Sequence, residues 1–343
     1  GLLGRVEAVL KAEGIEVEEL GGVKPNPRMS LAKEGVKKAI NSGADLVMAV
    51  GGGSCIDTAK AIAIAAAKPG TDLEEFWSGK VPIEKALPVG VVLTIAAAGS
   101  EMSDSAVLTN EETGKKAGAH SDLVRPKFAM MNPELMYTLP KYQLTCGIVD
   151  IMMHTMERYF TKGENMELTD SIAEALMRTV IENTKILKEN PKDYNARAEV
   201  MWAGSLSHNG LTGCGIKNKD FATHMLEHEL GGVYDVAHGA GLAAVWGSWA
   251  RYVYKECLGR FKKFAINVMN VEEVGSDEEI ALKGIEAMEK FYHSIGMPTS
   301  IKELGLELSD ADIEKLADQC CDACGGHKGS AKVLYREDIV KIY

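Results

Sequence analysis

Asp150 and His154, followed by His224 and His238, offer one carboxylate and three imidazoles grouped as two pairs. The first pair lies four apart in GIVDIMMHTMERYF, whose apolar residues recur at helical spacing. One turn of helix therefore aims both side chains the same way. The second pair sits in FATHMLEHELGGVYDVAHGAGLA, where Gly231 and Gly232 predict a break between two short helical segments. Neutral imidazole and carboxylate suit a divalent first-row metal. A lone Asp-x-x-x-His pair is as readily two unrelated polar residues. Four candidates in two clusters, on otherwise apolar helices, point to metal. These ligand types do not select the ion, since Fe(II), Zn(II), Co(II) and Ni(II) all accept nitrogen and oxygen donors.

A second kind of chemistry is written in AVGGGSCIDTAK, residues 49–60, which reads as strand, glycine-rich turn and helix start. Glycines at 51, 52 and 53 remove Cβ atoms, so a phosphate can approach the backbone and meet the positive end of the following helix. The pattern is neither GxGxxG nor a P-loop, and a tight turn without ligand is the plain alternative. Ser54 and Asp57 favour the phosphate reading. LTIAAAGSEMSDSA, residues 93–106, follows another buried strand and brings Thr94, Gly99, Ser100 and Glu101 towards the same sheet edge, where open α/β sheets bind ligands. Lys116 in GKKAGAH is either a phosphate or ribose contact or a surface lysine, and taken alone it reads as surface.

These residues need elements to position them. Up to residue 139 helix and strand alternate: a helix at 5–13, a strand at 15–20, a helix with Ser30 as N-cap ending near Gly43, then strands at 45–50, 87–93 and 128–131 around an alanine-rich helix at 57–67. Such alternation predicts a parallel sheet covered by helices. From Pro140 the pattern turns helical, at 141–161, 168–189, 192–207, 218–230, 238–255, 257–271 and 276–294. The expected division is therefore an α/β nucleotide-binding domain at 1–139 and an all-helical domain at 140–343 that carries the metal candidates. The opening GLLGRVEAVLKAEG starts inside a helix, so a further strand and turn are expected upstream of it.

At 343 residues the chain has room for two cores. A formal net charge of −11 argues against a nucleic-acid partner or an anionic membrane surface, and no apolar run reaches membrane-spanning length. Seven cysteines, an odd number without framework spacing, read as reduced cytosolic thiols. Cys320, Cys321, Cys324 and His327 include a CxxCxxH run, but a zinc module would supply another nearby pair and none follows.

Together, GGGSCIDTAK, TIAAAGSEMS, DIMMH and HMLEHELGGVYDVAHG resemble the iron-containing alcohol dehydrogenase family, closest to its butanol dehydrogenase-like branch. The likeness runs in order along the whole chain, including RPKFAMMNPELMYTLP at the domain join. It implies a Rossmann-like parallel-sheet domain followed by a helical metal-binding domain, the plan shared with dehydroquinate synthase. It further implies cofactor contacts from Gly51, Gly52, Gly53, Ser54, Asp57, Thr94 and Lys116, and metal ligation by Asp150, His154, His224 and His238. His228, four residues after His224, could face the same site. The resemblance makes it a substrate-side catalytic histidine instead. Fe2+ is the implied metal with Zn2+ a substitute, and the nicotinamide cofactor is NAD or NADP. The implied reaction is reversible hydride transfer with a short-chain primary alcohol or aldehyde, in a cytoplasmic homodimer. Ala98 and Ser103 stand where the family often has Thr and Asn. Relatives also carry an upstream glycine-rich turn that helps choose between NAD and NADP. The alternatives are a dehydroquinate synthase-like lyase, which the apolar metal motifs disfavour, a metal-binding structural module, and a piece unable to hold the cofactor.

Overall fold

The computed structural model describes residues 1–163 and 165–343, and the chain divides into two compact units. The first holds Gly1–Thr94 and Ser103–Met131, the second Ile95–Met102 and Asn132–Tyr343.

In the first unit, α1 (Leu2–Ala12) and α2 (Met29–Ser42) precede β1 (Val47–Gly51), α3 (Gly53–Ala66), α4 (Leu73–Trp77) and β2 (Val89–Leu93). A hairpin of β3 (Ser105–Thr109) and β4 (Lys116–His120) follows, then β5 (Phe128–Met130). Strands β1, β2 and β5 form a parallel sheet in that order, with Val47 opposite Val89 and Gly90 opposite Phe128. Every residue of β2 is buried, as an unbroken apolar strand covered on both faces should be.

Three expectations change here. Residues 15–20 alternate apolar and acidic but form no strand, because no described strand lies alongside to complete a ladder; Ile15 stays exposed. Ser30 is not the N-cap of α2. Arg28 is, since its bridge to Thr109 holds the backbone extended up to that point, and the Ser30 hydroxyl donates instead to Glu111. The hairpin of β3 and β4 was unforeseen. It is tied to α3 by polar side chains, with Lys60 Nζ donating to the carbonyls of Ser103 and Ser105 at 2.9 Å each and to Ser103 Oγ at 3.1 Å. Gly43 ends α2 in the left-handed region at φ 67°, as read from the sequence.

The second unit is helical: α5 (Lys141–Tyr159), α6 (Glu167–Glu189), α7 (Tyr194–His208), α8 (Ala222–Tyr234), α9 (His238–Val253), α10 (Leu258–Asn267), α11 (Asp277–Ser294), α12 (Asp310–Ala323) and α13 (Arg336–Ile342). None of the described helices is long and apolar enough to cross a membrane. From Leu144 to Tyr159 every residue of α5 is buried, so this helix is wrapped on all sides by its neighbours. An aromatic cluster supports its end, with the Phe160 and Phe261 rings stacked at 4.2 Å.

Gly231 and Gly232 do not break a helix. Both lie within α8, which runs on to Tyr234, because two glycines cost only about 1 kcal/mol each against the packing of a buried helix. The break falls at Asp235, held at φ 52°, before α9 begins at His238. The units change over at Met131 and Asn132, upstream of the expected 139/140 boundary, and Met136 is already buried in the helical unit, its sulfur accepting the Ala96 N–H at 3.3 Å. Helices α12 and α13 had no counterpart in the sequence reading.

Helix α9 approaches α5 closely because residue 239 is glycine: a Cβ there would drive into the backbone carbonyl of Cys146. Gly239→Ala should therefore lower the unfolding free energy by about 1–3 kcal/mol. Gly259→Ala in α10, where a Cβ meets nothing within 4 Å, should stay within about 0.5 kcal/mol of the parent. Urea unfolding of both variants measures the difference.

Candidate metal centre

Asp150 projects from the middle of α5, His224 from the first turn of α8, and His238 opens α9. Asp150 Oδ1 lies 3.5 Å from His224 Nε2 and 3.7 Å from His238 Nε2. One ligand atom from each of the three falls within 4.8 Å of the others, and this is the group among the described residues with the composition and spacing to hold a metal ion. Asp150 Oδ1 and His224 Nε2 are both buried and neither has a well-formed hydrogen bond, although His154 Nδ1 stands 3.0 Å from Asp150 Oδ1. A carboxylate oxygen and an imidazole nitrogen left without partners in an apolar interior are costly, and a divalent cation between them would satisfy both. The residues fit a metal.

His154 lies against this group without being one of the three. Its Nδ1 is 3.0 Å from both the carboxylate and the backbone carbonyl of Asp150, and its ring stands edge-on to His208 with centroids 4.0 Å apart. His228 is one turn beyond His224 on α8, its ring centroid 6.4 Å from that of His224 and 6.0 Å from that of His238.

Sequence reasoning passed over four further residues. Glu157 accepts the Nδ1–H of His224 and, at 3.0 Å, its backbone N–H; Glu227 accepts the Nδ1–H of His238. Arg158 donates to the backbone carbonyl of His154 and places Nη2 3.1 Å from His208 Nδ1. The signal was present in the same motifs, since an acidic residue on a helix otherwise meant for the core needs a reason. Glu157 sits two turns past Asp150, and Glu227 three residues past His224.

The cluster divides its protons unevenly. Burial alone would raise the Asp150 carboxyl, but the imidazoles of His154 and His238 outweigh it and hold the group well below its ordinary range. Burial alone would likewise lower His224, yet Glu157 and Asp150 together push that ring up to about 9. Burial wins at His154, lowered to about 4, and at His208, lowered well below 6.5. Without metal the proton therefore resides on His224, between two carboxylates.

The other proposed contacts lie in the first unit. Gly51 ends β1, Gly52 precedes α3 in an extended conformation, and Gly53 and Ser54 open the helix, giving the expected strand, turn and helix. The Thr94 N–H donates to Gly51 O at 3.0 Å, which sets both at one sheet edge. Asp57 accepts the Val107 N–H at 2.9 Å, so its carboxylate secures the hairpin. Lys116 opens β4 and is buried, contrary to the surface reading, because the hairpin pairs it with Thr109. Gly99 and Glu101 belong to the helical unit. Glu101 accepts the Ser205 hydroxyl, and the Gly204 carbonyl occupies the space a Cβ on Gly99 would take. Cys320 and Cys321 are buried on α12, while His327 packs its ring near Tyr335, with no grouping of metal-ligand geometry among these described residues.

Comparison with known proteins gives a concordant picture. Residues 1–133 match the family described as iron-containing alcohol dehydrogenase, and residues 145–343 match the C-terminal domain of the Fe-containing alcohol dehydrogenase family. The NADH-dependent butanol dehydrogenase A of Clostridium acetobutylicum is 39% identical over 344 residues, covering 100% of this chain and 87% of that protein. The NADPH-dependent aldehyde reductase YqhD of Escherichia coli is 38% identical over 312 residues, covering 90% and 79% respectively. The crystal structure of NADH-dependent butanol dehydrogenase A from Thermotoga maritima superposes with a TM-score of 0.94 at 40% identity, covering 100% of this chain and 86% of that one.

A metal ion entering the centre must displace the proton that the raised pKa keeps on His224, so proton competition weakens binding as the pH falls below about 9. The apparent Zn2+ affinity should rise about tenfold per pH unit between pH 6 and 8. Calorimetry in buffers of different ionisation enthalpy should show about one proton released per ion. An affinity flat across that window would show that His224 is not the protonated member.

Proposed function

The chain belongs to the iron-containing alcohol dehydrogenase family and is an oxidoreductase; we propose that it transfers hydride reversibly between NAD(H) or NADP(H) and a short-chain primary alcohol or aldehyde of the size of butanol and butanal. The observation that carries the reading is the buried, unsatisfied pair of Asp150 Oδ1 and His224 Nε2 beside His238. The naming of relatives as NADH-dependent butanol dehydrogenases and as an NADPH-dependent aldehyde reductase supports the substrate class and leaves both cofactors in the proposal.

Asp150, His224 and His238 would hold the ion, with His154 proposed as the fourth donor on the strength of its contact with Asp150. Fe2+ is the proposed metal and Zn2+ the substitute. When bound, the ion supplies Lewis-acid polarisation of the oxygen on the reacting carbon, which removes the need for a strong protein base. The nicotinamide supplies the hydride carrier, and Gly51, Gly52, Gly53, Ser54, Thr94 and Lys116 are proposed to bind it, with Asp57 holding the turn to the hairpin. His228 is the proposed proton carrier between the alcohol oxygen and solvent; its position one turn from His224, partly buried, supports that role. Apolar neighbours such as Met152, Met153 and Leu226, all buried, keep the metal-bearing helices poor in groups that would bind a charged substrate. A cytoplasmic location is part of the proposal, supported by seven free cysteines. The homodimer rests on the family resemblance.

Steady-state assays with butanal and NADH or NADPH test the reading. Turnover should vanish with chelation and return with Fe2+. Turnover confined to a phosphorylated sugar acid would favour the lyase instead. His224→Ala should lose the metal and nearly all activity. His228→Ala should retain the metal but lose about 10²-fold in kcat and change its pH dependence. Metal content together with the pH–rate profile separates the two, and a metal-free His228→Ala beside a metal-replete His224→Ala would reverse the assignment.

A further inference from the structure

We propose that Glu157 and Glu227 are positioning residues of the metal centre, each locking its histidine in the tautomer that leaves Nε2 as the metal donor. The inference rests on the metal reading above and asks which groups make three side chains into one site.

A neutral imidazole carries a single N–H, so whichever nitrogen gives its proton to an acceptor leaves the other with the lone pair. At His224 the acceptor of Nδ1–H is Glu157, and Nε2 faces Asp150 Oδ1 at 3.5 Å. At His238 the acceptor of Nδ1–H is Glu227, and Nε2 faces the same oxygen at 3.7 Å. Two glutamates on different helices make the same contact to two different histidines, and in both the other ring nitrogen, Nε2, is aimed at one atom. That repetition is unexpected of incidental core packing.

The cost of placing these carboxylates points the same way. Both glutamates are fully buried, at 0% exposure, in an interior where an unneeded carboxylate is strongly disfavoured. Glu157 uses both oxygens on His224, Oε1 on the backbone N–H at 3.0 Å and Oε2 on the ring, and so fixes the start of α8 against α5. Glu227 reaches from α8 across the turn at Asp235 to the first residue of α9, and Gly241 makes room for it: a Cβ at 241 would come within 2.8 Å of Glu227 Cγ. A carboxylate behind a ligating imidazole also raises its basicity, so loss of the charge weakens the donor even where the shape is kept.

Glu157→Gln and Glu227→Gln test the idea, since glutamine keeps the volume and an accepting oxygen but removes the charge. Zn2+ affinity, read by competition with a chromogenic chelator across a range of pH and corrected for the proton displaced from His224, should fall 10- to 100-fold in each variant. Thermal unfolding of the metal-free proteins should stay close to the parent, which a purely packing role also predicts; the affinity loss it does not. Unchanged Zn2+ affinity in both folded variants would overturn the proposal. A second measurement needs no variant. Nitrogen-15 histidine spectra of the Zn2+-loaded parent should show His224 and His238 protonated at Nδ1 and coordinated through Nε2. Coordination through Nδ1 at either residue would also overturn it. Failure of the metal reading looks different: the parent itself would then bind Zn2+ no better than His224→Ala.

Discussion

A carboxylate oxygen without a well-formed hydrogen bond, sunk in the buried stretch of α5 from Leu144 to Tyr159, is the constraint to which the helical unit answers. Asp150 Oδ1 lies among imidazoles, with His154 Nδ1 at 3.0 Å and the Nε2 atoms of His224 and His238 at 3.5 and 3.7 Å. An ionised group in such a place persists only if positive charge comes to it. Without metal the proton on His224 supplies that charge, held between Asp150 and Glu157. A divalent ion supplies more of it and satisfies the nitrogens as well. The same geometry that draws a proton to the cluster makes it selective for a cation.

Holding that arrangement requires three helices to agree in register, and the chain secures them with small residues and short connections. Gly147 admits the Ala96 carbonyl against α5, and Gly239 admits the Cys146 carbonyl against α9. The turn between α8 and α9 is short, with Asp235 in the left-handed region and α9 beginning at His238, so His224 and His238 flank one tight corner. Glu157 and Glu227 brace the two sides of that corner. Stability and ligand placement are thus one property here, since moving any of these backbones alters the donor distances.

What was legible in the sequence were features that repeat at the period of a helix or mark a turn locally. The Asp150 and His154 pair, the long helices after Pro140, the glycine turn after β1 and the buried parallel strands all have such signals, and the helix and strand bounds differ from expectation mostly by a few residues. What failed depended on partners distant in sequence. Residues 15–20 have strand alternation but no neighbour to pair with. Gly231 and Gly232 read as a break because glycine is a poor helix former, yet buried packing carried α8 through them and left the break to Asp235. The hairpin of β3 and β4 depends on Lys60 and Asp57, which reach it from α3, and no local spacing announces that. The four-residue spacing of Asp150 and His154 fixes the side of the helix they share, while the ring nitrogen that faces Asp150, Nδ1, is set by the surrounding packing.

The glutamates carry the more general point. On an amphipathic surface helix an acidic residue needs no account, because water solvates it. On α5, where every position from Leu144 to Tyr159 is buried, Asp150, Glu157 and Arg158 each demand a partner, and each finds one within the same cluster or lacks one only where an ion would sit. Charged residues inside a helix too apolar to have a solvent face are therefore a stronger pointer to a metal or proton site than the histidines beside them, which a core can absorb in neutral form. DIMMHTMER thus places the candidate ligand, the adjoining imidazole, the proposed brace and a buried arginine in a single nine-residue stretch, and α8 and α9 bring their two histidines to it.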